Sequence, residues 1–123
     1  MKLYRPQDYS PVDHQDTVST GLATPLRGAE QVFVARQSTR AHGTGPLHRH
    51  NLEEVTILLE GEAHVQVGEE TVSMQKGDVL IVPPNTLHQM RSAGGPIEYL
   101  IVSRAGATHS LADGDVRTPP WTK

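Results

Sequence analysis

Along the chain, apolar positions fall in short runs rather than in helical stripes. From Gln31 onward the runs are Gln31 to Gln37, Glu54 to Leu59, Ala63 to Val67, Thr71 to Met74, Val79 to Val82 and Ile97 to Val102, with turn residues between them. Val65 and Val67 alternate with His64 and Gln66, the two-residue period of a half-buried strand. Gly68-Glu69 then separates them from Thr71 and Val72 as a hairpin turn does. No stretch keeps a helical period over three turns. Closely spaced strands divided by Gly and Pro predict an all-β sandwich or barrel, where closure also removes exposed strand edges.

The two ends differ from this middle. Residues 1–30 mix Pro6, Pro11, Gly21, Pro25 and Gly28 with scattered polar residues and read as an irregular arm with room for one short strand. Residues 31–103 are expected to carry the barrel. Residues 104–123, with Gly106, Gly114, Pro119 and Pro120, read as an irregular tail.

Composition narrows the function classes. With 123 residues the chain fits one compact domain, and 36% hydrophobic and 20% charged residues allow a modest core without the charge of a disordered segment. A net charge of -3 and no run of Lys or Arg argue against a nucleic-acid partner. The start of the chain lacks a leader pattern and no run is long enough to span a bilayer, so no membrane association and a cytoplasmic location are expected. Cys is absent, which leaves His and carboxylates as the strong metal-ligand types.

Four residues have ligand types and spacing. His48 and His50 are two apart, so on a strand both imidazoles face one way, and Glu54 is an even step further if the strand stays regular. His88 follows the Val79 to Val82 strand and the Pro83-Pro84-Asn85 turn. Nitrogen and oxygen donors suit one divalent ion among Fe, Mn, Ni, Zn, Co and Cu, with no choice among them.

Two blocks carry a resemblance. Residues 45 to 61, Gly-Pro-Leu-His-Arg-His-Asn-Leu-Glu-Glu-Val-Thr-Ile-Leu-Leu-Glu-Gly, resemble the first cupin motif at His48, His50, Glu54 and Gly61. Residues 77 to 88, Gly-Asp-Val-Leu-Ile-Val-Pro-Pro-Asn-Thr-Leu-His, resemble the second at Gly77, Pro83 and His88. Three positions depart from the pattern: Asn85 stands where the family usually has Gly, Ser92 replaces a terminal Asn, and Gly43 lies one residue nearer the first His than usual. None is a ligand, and Asn tolerates the positive φ such a turn needs.

The resemblance implies a small single-domain cupin, a double-stranded β-helix or jelly-roll barrel, with His48, His50, Glu54 and His88 around one divalent metal. It implies an enzyme acting on a small oxygen-rich substrate, either a dioxygenase or an isomerase, lyase or cyclase. The alternative is a non-catalytic small-ligand binder or sensor, and a homodimer is expected for either. Glu54 either ligates or acts as a base. His42 is a candidate proton shuttle, and Arg36, Arg40, Tyr99 and Met90 are candidate substrate contacts. By parity Met90 shares the ligand face of the His88 strand, whereas Gln89 and Arg91 face away. His64, Glu53 and the Asp13-His14-Gln15-Asp16 segment read as surface features.

Overall fold

In the computed structural model, which describes residues 1–123, the chain is all-β, with twelve strands in two antiparallel six-stranded sheets. The strands are β1 (Val12–His14), β2 (Thr17–Ala23), β3 (Val32–Thr39), β4 (His48–His50), β5 (Glu54–Glu60), β6 (Glu62–Val67), β7 (Glu70–Gln75), β8 (Val79–Val82), β9 (His88–Ser92), β10 (Ile97–Arg104), β11 (His109–Leu111) and β12 (Val116–Arg117). One sheet has the order β1-β2-β3-β10-β5-β8 and the other β12-β11-β4-β9-β6-β7. Every neighbour crosses from elsewhere in the chain or from a hairpin, which is the jelly-roll pattern. No helix is long and apolar enough to cross a membrane.

The six runs marked by apolar alternation all become strands. The Val65 and Val72 strands pair across the Gly68-Glu69 turn as read, with Val65 opposite Val72. Gly61 joins β5 to β6 at φ 84°, and a Cβ there would lie 2.5 Å from the Pro96 carbonyl oxygen and 2.8 Å from Ile97. Only glycine meets both demands. Asn85 takes φ 59° in the turn before β9 and donates its N–H to the His50 carbonyl at 2.6 Å.

The ends are more ordered than their composition suggests. β2 is seven residues long and pairs with β3 from Thr17 opposite Thr39 to Ala23 opposite Val34. Its inward residues are Thr17 and Ser19, buried but polar, satisfied by the Thr39 hydroxyl and the Gln37 amide. A strand that turns hydroxyls inward shows no apolar stripe, and so reads as irregular. At the other end, β11 pairs with β4, and β12 with β11.

The core gathers Leu58, Ala63, Val65, Met74, Met90, Ile97 and Tyr99, with Leu80 and Ile101 packed against it. Leu58 is fully buried, and burying such a side chain stabilises by about 1.5–3 kcal/mol. Met90 and Tyr99 also line the cavity above. The core is therefore the floor on which the polar site rests.

Candidate metal centre

The site lies where the two sheets face each other. His48 and His50 come from β4, and His88 sits opposite His48 on the neighbouring β9. Glu54 comes from β5 in the other sheet. This corrects the expectation that Glu54 continues the strand of His48 and His50: Asn51 to Glu53 interrupt it, and the chain crosses between sheets there. The carboxylate thus approaches the imidazoles from the facing wall.

The nitrogens of His48, His50 and His88 that could bind an ion lie within 4.8 Å of one another. Backbone carbonyls fix each ring. Nδ1 of His48 is 2.8 Å from the Pro46 oxygen, Nδ1 of His88 is 2.9 Å from the Thr86 oxygen, and Nδ1 of His50 is 3.3 Å from the Thr108 oxygen. A carbonyl only accepts, so each Nδ1 carries the proton and each Nε2 keeps its lone pair. Nε2 of His50 and of His88 are buried and have no hydrogen-bond partner. Nε2 of His50 is 2.7 Å from Oε2 of Glu54 but out of line for a hydrogen bond, and Nε2 of His88 is 3.7 Å from Oε1. Orphaned buried nitrogens beside a carboxylate are costly unless something else binds them. A divalent cation suits this donor set.

The charge states of His48 and Glu54 agree with that use, whereas Glu54 favours a proton on His88 that a bound cation would have to displace. Burial, helped by the neighbouring imidazoles His88, His109 and His50, lowers the His48 pKa to about 3, so its ring is neutral at pH 7. Burial pushes the Glu54 carboxyl up, but the His50 and His88 imidazoles outweigh it and hold the group well below the usual carboxylate range. For His88, burial lowers the pKa and Glu54 more than restores it, leaving the ring raised.

The remaining candidates divide by strand parity. Tyr99 and Met90 line the cavity, and burial raises the Tyr99 pKa to about 12, so it stays a phenol. Gln89 turns away and donates to the Gly45 carbonyl, and Arg91 is exposed. Arg36, Arg40 and His42 do not reach the cavity. Arg36 lies one residue from inward Ala35 and Gln37, and therefore points outward to pair with Glu98 at 2.6 Å. Arg40 pairs with Asp16 at 2.6 Å. His42 sits exposed in the following turn at φ 58°. His64 is 3.2 Å from the Ser73 hydroxyl on the adjacent strand, and Glu53 is exposed. Within Asp13 to Asp16, His14 and Gln15 line the cavity's rim, which the surface-turn reading did not foresee.

A fourth histidine joins the cluster without warning from the sequence. His109 on β11 lies opposite His50, and its ring stacks on His48 with centroids 4.3 Å apart and planes 6° from parallel. Burial lowers its pKa to about 4. Its position in a Gly- and Pro-rich tail gave no strand pattern to place it. Gln37, Ser19 and Phe33 line the cavity as well. Alternation along β3 was the only available signal for Gln37.

A two-sheet barrel with a histidine cluster set between its sheets defines a cupin-type site. Residues 36–103, more than half of the chain, match the Cupin domain family, and the chain belongs to it. Among curated relatives, an uncharacterised protein from Methanocaldococcus jannaschii is 32% identical over 65 residues, covering 51% of this chain and 52% of the relative. A gentisate 1,2-dioxygenase from a Ralstonia species is 26% identical over 108 residues, covering 81% of this chain and 30% of the relative. The chain thus spans about half of one and less than a third of the other. Among solved structures, the polyketide cyclase RemF from Streptomyces resistomycificus superposes with a TM-score of 0.76 at 19% identity, covering 96% of this chain and 84% of that one.

Proposed function

We propose that this cupin is a metal-dependent enzyme that binds a small oxygen-rich organic substrate at one divalent ion held by His48, His50, Glu54 and His88. The observation that carries the reading is the set of three imidazoles whose Nδ1 atoms are taken by carbonyls, so that their Nε2 lone pairs converge beside Glu54. A bound divalent ion supplies Lewis acidity toward a chelating oxygen and, for a redox-active metal, electron transfer with O₂.

The chain's own groups do the rest. Glu54, ionised at pH 7, either ligates the ion or, swung off it, offers a carboxylate oxygen to a substrate proton. Tyr99 keeps its phenol proton and donates it in a hydrogen bond to substrate oxygen. Gln37 gives its amide hydrogen to Ser19 at 2.9 Å, which fixes its side chain on the cavity wall. The likeness to a dioxygenase and to a cyclase keeps both the oxygenase branch and the isomerase, lyase or cyclase branch in view.

Reconstitution with Fe(II) and with Zn(II) in parallel, followed by oxygen uptake and product analysis on a dihydroxybenzoate and an enolisable diketone, separates the readings. Oxygen uptake with iron alone supports a dioxygenase. Turnover with zinc supports the second branch. Metal uptake without turnover of either compound favours the non-catalytic binder.

The protein is further proposed to be a cytoplasmic homodimer. Support for the dimer comes from the outer face of the first sheet, where Val34, Val102, Val55 and Ile81 form one cross-strand row. Leu100, Ile57 and Val79 form a second. Val79 and Ile81 are 60% and 59% exposed, and an apolar sheet face of this kind, edged by the Arg36–Glu98 ion pair, is what an isologous interface buries.

A further inference from the structure

The C-terminal segment spans the mouth of the cavity from one sheet to the other. On one side β11 pairs with β4, and the Thr108 N–H donates to the Asn51 side chain at 2.8 Å. On the other side a single 3-10 turn, Pro120–Thr122, packs on β2 and β3. Gly21 makes this contact: a Cβ at that buried position would collide with the Trp121 carbonyl oxygen. The Trp121 ring lies 6.3 Å from that of His14, the last residue of β1. The segment so held forms the outer wall of a cavity of about 1010 Å³ whose inner wall includes His48, His50 and Glu54.

Two properties of that cavity restrict what enters it. The first is size and aromatic content. The volume is at the upper end of the range for small-molecule pockets, and Phe33, Tyr99 and Trp121, three of the chain's five Phe, Tyr and Trp residues, line it. The second is charge. The only Lys or Arg residues on its walls are Arg117 and Lys123, both in the closing segment, and Arg117 is held by Asp115 at 2.9 Å. No cation of the barrel wall waits for a second carboxylate, whereas flat aromatic surface has partners on several sides.

We propose that His109 and Trp121 are specificity-determining residues that select a flat aromatic ligand carrying adjacent oxygens over a small dicarboxylate. The inference rests on the metal site proposed above and adds the ligand class and the residues that choose it. His109 is stacked on His48, and no carbonyl holds its Nδ1 as one holds that of each proposed ligand. Its free edge contacts the ligand, while Trp121 supplies a stacking face at the far end. His109 reaches the cavity through the pairing of β11 with β4, and Trp121 because Gly21 lets the last turn pack close on β2.

The test uses the full chain loaded with Zn(II), with 2,3-dihydroxynaphthalene and oxalate as probes in calorimetric titrations. Trp121 is the only tryptophan, so its emission reports the same binding directly. The proposal expects the naphthalenediol to bind at least about tenfold tighter than oxalate and to change Trp121 emission. In Trp121→Ala its affinity falls about fivefold or more while oxalate binding and zinc content hold, and Trp121→Phe restores most of the loss; in His109→Ala, compared at matched zinc loading, the preference for the naphthalenediol over oxalate falls about fivefold or more. Gly21→Val, which displaces Trp121 without altering a cavity side chain, gives the same loss by a separate route. Tighter oxalate binding, or an unchanged preference in all the variants, overturns the proposal. Failure of the wild-type chain to take up zinc overturns the metal reading and this inference with it, whereas zinc uptake without ligand preference overturns this inference alone.

Discussion

Glu54 and His50 approach to 2.7 Å although they stand on strands of different sheets. They are only four residues apart, and the three residues between them carry the chain across the barrel. That crossing lets a single short loop supply donors from opposite walls. It also makes Glu54 4% exposed and dependent on its imidazole neighbours for its charge.

Replacing that carboxylate separates ligation from structure. Glu54→Gln keeps the size of the side chain and removes its charge, and we expect the metal dissociation constant to rise by on the order of tenfold to a hundredfold. Circular dichroism should remain that of the parent barrel. Unchanged metal affinity with lost turnover would assign Glu54 to proton transfer alone.

The floor of the site has its own test. Leu58 is fully buried in the core beneath Tyr99 and Met90, and Leu58→Ala should cost about 2–5 kcal/mol of stability. Urea unfolding followed by far-ultraviolet circular dichroism measures it. A loss below about 1 kcal/mol would mean that the core collapses around the gap or does not bear on this residue.

Asp16 predicts an acid response remote from the histidines. The Thr44 N–H at 3.0 Å and the Arg40 side chain hold its carboxyl below the ordinary 3.8. A depressed folded-state pKa contributes stability above the unfolded value and loses it as pH falls through the folded one. Asp16→Asn should therefore be less stable at pH 7 and show a smaller further loss below about pH 4. Parallel thermal melts from neutral to acid pH compare the two slopes, and identical slopes would remove Asp16 from the account.

The proposed dimer face is open to a single charge. Val102 lies mid-row between Val34 and Val55 on the outer side of the first sheet. Val102→Glu should give monomers by sedimentation equilibrium while metal content stays unchanged, because buried interface charges without partners are costly. A variant that sediments like the parent would place the contact elsewhere.

Much of the fold was legible because apolar alternation marks a strand with one face in a core. β6 and β7 were visible through Val65, Val67 and Val72, and β10 through Ile97 to Val102. β2 was legible only as room for one short strand in the arm, since its inward face holds Thr17 and Ser19 against a polar cavity. The His48, His50 and His88 cluster was legible from spacing and resemblance, whereas the sheet change before Glu54 was not, because nothing in Asn-Leu-Glu announces a crossing. His109 and Trp121 arrive from a three-residue strand and one helical turn, too short for any period. Of the residues expected at the mouth, Arg36 is sent outward by parity along β3, whereas Arg40 and His42 lie in the loop after it, Arg40 held by Asp16 and His42 exposed.

The central claim is that His48, His50 and His88 converge on one ion. Metal content per chain, measured by elemental mass spectrometry on protein purified without a metal-affinity tag, addresses it most directly, with His48→Ala and His88→Ala alongside. We expect about one equivalent of a divalent metal in the parent and its loss in both variants. A parent chain that stays below about a tenth of an equivalent after reconstitution with Fe, Mn, Ni, Zn, Co and Cu ions would contradict the account.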